Sequence, residues 1–88
     1  MALHFPNPSR SYDATRRRIA FWGHDDTLEV PFFLDESAIF RLDPRTENVE
    51  AGMLATFDAA TDRIHEAAGR LRSAGKRSFY VLGTNDFR

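Results

Sequence analysis

A chain of 88 residues, 42% hydrophobic and 28% charged, has the size and make-up of one globular domain, 1–88, with a small core. The absence of cysteine excludes a disulfide framework, a thiolate metal site and a cysteine nucleophile, and fits a reducing compartment. A net charge of −1 argues against a generic nucleic-acid binder; no apolar run approaches the roughly 18 residues of a membrane span, and MALHFPNPSR lacks the features of a signal peptide, so the expected location is cytoplasmic.

In chain order, Leu3-His4-Phe5 alternates and predicts a short edge strand. PNPSRSYD follows, rich in proline, asparagine and serine, and reads as loop. Arg17 to Trp22 alternates, with Ile19 and Phe21 on one face and Arg18, Ala20 and Trp22 on the other. Thr27 to Leu34 alternates again, setting Leu28, Val30, Phe32 and Leu34 against Thr27, Glu29, Pro31 and Phe33. Period-two alternation rich in β-branched and aromatic residues predicts two half-buried strands. Gly23-His24-Asp25-Asp26 between them reads as a four-residue hairpin loop, because glycine and aspartate suit turns. That loop pairs Trp22 with Thr27, Phe21 with Leu28, Ile19 with Val30 and Arg17 with Phe32, and lands both apolar sets on one face.

Asp35 is placed to cap a helix over ESAIFRL, with Ala38, Ile39 and Leu42 inward and Pro44 as its stop. One long helix is predicted from near Thr46 or Asn48. Its inward stripe is Met53, Phe57, Ala60, Ile64, Ala68 and Leu71; Asp58, Asp62, Glu66 and Arg70 lie outside, and Gly75 serves as a C′ residue. Ser78 to Leu82 predicts a last strand, with Phe79 and Val81 packed on the helices and Tyr80 turned away. The order predicts an α+β domain: a small antiparallel sheet, made of the hairpin, the C-terminal strand and a possible N-terminal edge strand, with a short and a long helix packed on one face.

Leu3-His4-Phe5-Pro6, Tyr12-Asp13, Arg18-Ile19-Ala20-Phe21, the helix from Asp35 to Leu42 and Thr84-Asn85-Asp86-Phe87 occur here in an order that resembles the DUF1488 family of small bacterial proteins of unknown function. The resemblance spans essentially the whole chain. It implies a compact single-domain α+β bacterial protein, and it carries no catalytic residue with it.

Candidate chemistry is sparse. His24-Asp25-Asp26 has no third or fourth ligand at metal-binding spacing, since His4 and His65 form no HxH, HxxxH or HExxH pattern with it. Asp58, Asp62 and Glu66 read as a solvated helix face rather than an acid–base pair. Phosphate-binding glycine motifs and nucleophile elbows are absent from the sequence. No catalytic residue, cofactor, metal or small-molecule substrate is therefore assigned, and the expected protein is not an enzyme.

Two surfaces stand out. Trp22, Pro31, Phe33 and Tyr80 are predicted on the sheet face away from the core, either under the N-terminal segment or as a surface for a protein partner or a second copy. Arg16, Arg17 and Arg18 at one end of the chain, and Arg70, Arg72, Lys76 and Arg77 near the other, flank a stretch from Asp25 to Glu66 that holds eleven carboxylates and three arginines. They form a nucleic-acid surface only if the fold brings them together. The leading expectation is a non-catalytic protein-interaction module; the alternative is weak electrostatic nucleic-acid binding or a regulatory role.

Overall fold

The computed structural model describes residues 3–5 and 10–87. Its elements are β1 (Leu3–His4), β2 (Arg10–Asp13), β3 (Arg18–Asp25), β4 (Leu28–Asp35), α1 (Glu36–Leu42), α2 (Glu50–Ala59), α3 (Thr61–Ala74), β5 (Tyr80–Leu82) and a closing 3-10 turn, Thr84–Phe87. The class is α+β, as predicted. β4 and β5 flank one side of β3, while β1 and β2 lie end to end along its other edge.

The sheet is mixed rather than antiparallel. Phe32 pairs with Tyr80 and Leu34 with Leu82, so β5 runs parallel to β4. Parallel neighbours need a long crossover, and the helices between Glu36 and Ala74 supply it. The segment read as loop also holds an extra strand: β2 pairs Arg10 with Phe21 and Tyr12 with Ile19. Arg10 donates two hydrogen bonds of 2.8 Å to Asp58 on α2, which clamps β2 to the helical layer.

The hairpin register differs from the expected one by four residues. Phe21 pairs with Phe32, Ile19 with Leu34 and Trp22 with Pro31. Four is even, so each side chain keeps its face while gaining an eight-pair ladder. Gly23, His24 and Asp25 belong to β3, and only Asp26 and Thr27 turn. Asp26 takes φ 58°, which aspartate tolerates better than most residues. Gly23 is needed for close approach instead: a Cβ there would stand 2.9 Å from the Phe5 ring and 3.0 Å from Leu3. The slide also carries Leu28 past the helical cover, leaving it 58% exposed.

Asp35 caps α1 as expected. Its Oδ1 accepts from Ala38 N at 3.0 Å and from the Ser37 hydroxyl at 2.7 Å. The long helix is two. Thr61 donates its hydroxyl to the Phe57 and Asp58 carbonyls, and the backbone breaks at Ala60 (φ −111°, ψ 18°). Side-chain back-bonding of this kind bends helices. The predicted stripe survives the break, with Met53, Phe57, Ile64 and Ala68 all buried. α2 begins at Glu50, later than expected, and Gly75 is extended rather than left-handed (φ 177°).

One core results. Ile19, Phe21, Val30, Phe32, Leu34, Tyr80 and Leu82 from the sheet meet Ala38, Ile39, Met53, Phe57, Ile64, Ala67 and Ala68 from the helices, and Phe87 closes one end. β5 is therefore turned over relative to expectation: Tyr80 and Leu82 face the helices, and Phe79 and Val81 face solvent. No helix among the described residues is long and apolar enough to cross a membrane.

Candidate interaction face of the sheet

Alternation along β3 and β4 puts Arg18, Ala20, Trp22 and His24 beside Asp35, Phe33, Pro31 and Glu29 on the face away from the helices. Val81 pairs with Phe33 across β5, and the Phe79 ring meets the Phe33 ring edge-on at 6.0 Å. Trp22, Pro31 and Phe33 are half-buried, whereas Phe79 is 53% and Val81 44% exposed. None of these five belongs to the core cluster. Of the four residues expected here, Trp22, Pro31 and Phe33 share the face.

Tyr80 does not. Its hydroxyl donates to the Gly75 carbonyl at 2.6 Å and accepts from Arg77 N at 2.9 Å and Arg72 Nη1 at 3.2 Å. A phenol that can bond the backbone after α3 is better placed inside than a phenylalanine. The run Phe79-Tyr80-Val81-Leu82 is apolar on both faces, so periodicity alone could not choose between them.

The apolar strip has charged ends. At one end the Arg18 guanidinium carbon lies 3.8 Å from the Phe33 ring centroid, within cation–π range. Its Nε is buried without a hydrogen-bond partner among the described residues. The nearest carboxylate oxygen, Asp13 Oδ2, stands 4.0 Å away, while Asp13 Oδ1 is held by the amides of Thr15 and Arg16. At the other end Glu29 is exposed beside His24, whose ring faces that of His4 at 6.4 Å.

The basic residues do not converge. Arg18 opens β3, and Arg72 meets Asp25 at its far end. Eight residues of strand separate the two groups by about 23 Å. Within the first run, Arg16 lies in the turn near Asp13. Arg17, at φ 52°, points to the helical side and bonds Glu36 at 2.6 Å and Asn48. Arg18 points to the open face. In the second run, Arg70 bonds Glu66 and the Asp86 carbonyl, and Lys76 and Arg77 are exposed. Arg72 is a structural residue: its side chain is 3% exposed, and the Tyr80 hydroxyl and Asp25 both favour its charged form. Its position had a signal in the sequence, since Ile64, Ala68 and Arg72 share one stripe at spacings of four. Asp25 is thus a partner to a buried charge rather than a loop residue.

Among the described residues, no three histidine, aspartate or glutamate side chains gather as a metal site. Comparison with curated proteins and with solved structures found no match. The family model described as "Protein of unknown function (DUF1488)" matches residues 3–82. With that match covering nearly the whole chain, the protein belongs to the DUF1488 family.

Proposed function

We propose that this protein is a non-catalytic interaction module that works through the open face of its sheet. The observation carrying this reading is the strip of Trp22, Pro31, Phe33, Phe79 and Val81 on the face opposite all three helices. Contiguous apolar surface on so small a domain favours a partner, and tryptophan, tyrosine and arginine anchors dominate measured interfaces. Arg18 beside Phe33 adds a cationic anchor at the rim.

Nucleic acid draws less support as the partner. The open face carries Asp13, Glu29 and Asp35 against Arg18, and the remaining arginines diverge or are paired. A cysteine-free composition and the family resemblance support the cytoplasm of a bacterium as the setting.

Trp22 is the sole tryptophan, so its fluorescence reports on this face directly. Partners should be captured from a cell extract by the wild-type chain and lost with Trp22→Ser/Phe33→Ser, and binding should shield Trp22 from acrylamide quenching. Equal capture by both proteins, with Trp22 quenched equally bound and free, would overturn the reading.

A further inference from the structure

We infer that the open backbone edge formed by the start of β4 and by β5 takes an extended acidic segment of a partner protein, added to the sheet as a further strand. This rests on the chain being a partner-binding module, and it adds where a partner's backbone docks and what charge it carries.

The edge comes from a mismatch in strand length. β4 pairs with β3 over all eight of its residues, but with β5 only over residues 32–34. Along residues 28–31 the side of β4 that faces β5 further on meets no strand among the described residues. Pro31 ends this run: it has no N–H to give, and the ladder to β5 begins at the next residue. β5 is the last strand on its side of the sheet, so its outer edge is open as well. Unpaired strand edges are templates for another strand, and strand addition is a general way of holding extended peptides.

Two cavities follow this edge. One, of about 440 Å³, has Leu28 and Val30 of β4 on one side and Arg72 and Lys76 on the other. The second, of about 430 Å³, lies between Leu71 of α3 and the pair Phe79 and Val81. Arg77 and Ser78 line both, so the two cavities adjoin there. Four large apolar side chains are exposed among the described residues, and three of them, Leu28, Phe79 and Val81, line these cavities. Exposed apolar side chains gathered in one place mark a binding site more than scattered ones do.

Charge selects the occupant. Lys76 and Arg77 are exposed, and their side chains make no hydrogen bond or ion pair among the described residues. Arg72 is already paired with Asp25. The carboxylate that lines the groove, Glu29, belongs by alternation to the opposite face of β4 from Leu28 and Val30. A strand that alternates carboxylates with apolar side chains matches this edge twice, through Lys76 and Arg77 and through Leu28, Phe79 and Val81. A basic strand meets like charge.

The test follows the backbone amides of the full chain by NMR during titration, to millimolar concentration, with three end-blocked peptides: Glu-Val-Glu-Val-Glu, Lys-Val-Lys-Val-Lys and Glu-Pro-Glu-Pro-Glu. The first should shift the amides of residues 28–30 and 76–81. The second should leave them in place. The third, equal in charge but without the N–H groups of a strand, should bind at least about tenfold more weakly. Lys76→Glu/Arg77→Glu changes two exposed side chains; it should lose the glutamate–valine peptide and gain the lysine–valine one. Trp22→Ser/Phe33→Ser should bind the glutamate–valine peptide as wild type does. The inference is overturned if the glutamate–valine peptide moves none of these amides, if the proline peptide binds equally well, or if charge reversal leaves the preference unchanged. A chain that ignores the glutamate–valine peptide, yet loses capture of a partner with Trp22→Ser/Phe33→Ser, overturns the strand edge and leaves the open face standing. Peptide binding with the expected preference, beside undiminished capture by that variant, supports the edge and removes the open face as the working surface.

Discussion

At Arg72 a buried guanidinium reaches Asp25 through Nε and Nη2, each at 3.1 Å. Removing one partner of such a pair strands the other charge away from water. Asp25→Ala is therefore expected to lower the melting temperature by about 10 °C or more, while His24→Asn lowers it by only about 2–3 °C, and parallel thermal melts distinguish the two. Equal, small shifts would show that Arg72 finds solvent when Asp25 is lost. His65 offers a second test at this scale. Its ring stacks on Phe5 at 3.8 Å and 8°, and burial lowers its pKa below the ordinary 6.5, with Asp62 opposing. The unfolded chain thus takes the proton first. Stability falls as pH drops below about 6.5 and the loss is complete once pH is below the folded value. Replacing His65 with phenylalanine should flatten the melting temperature between pH 7 and 5 relative to wild type; identical pH profiles would contradict this account. Single residues were the least legible part of the sequence. Asp25 looks like any turn aspartate until its neighbour across 47 positions is known, and Gly23 looks like a turn glycine until Phe5 is seen against it.

At the scale of elements, periodicity predicted α1 with its boundaries and cap, both hairpin strands and the buried stripe of the long helical stretch. It failed where two answers share one pattern. The hairpin can slide by an even number of residues without moving a side chain off its face, so alternation could not set the register. β5 is apolar on both faces, and the face turned inward is the one that carries the Tyr80 hydroxyl to its hydrogen-bond partners. That hydroxyl ties together Gly75, Arg77 and Arg72. Tyr80→Phe keeps the ring in the core but takes one hydrogen-bond partner from the buried Arg72 guanidinium as well as from the Gly75 carbonyl and the Arg77 amide, and is expected to lower stability by about 1–3 kcal/mol. Chemical denaturation with an unchanged slope would measure it. A neutral substitution would mean that packing alone orients β5. The break at Ala60 was hidden for a related reason: Met53, Phe57, Ile64 and Ala68 keep one helical phase through it, so the stripe carries no trace of the kink.

For the whole molecule, the sequence conveyed the α+β class and a sheet covered on one face. The parallel β4–β5 pair was not legible, because the direction of β5 depends on the path of the chain between Leu34 and Tyr80, which hydrophobic periodicity does not encode. Three of the four aromatic and proline positions chosen for the open face lie there, and Phe79 and Val81 replace Tyr80. The central claim is that this face is a surface and not a second core. Circular dichroism melting of Trp22→Ser/Phe33→Ser beside wild type tests it most directly. The account predicts a folded variant with a cooperative transition, lowered by no more than about 10 °C, since half-buried side chains outside the core contribute little to it. An unfolded variant, or one without a cooperative transition, would contradict the account and make these aromatics part of the fold's own interior.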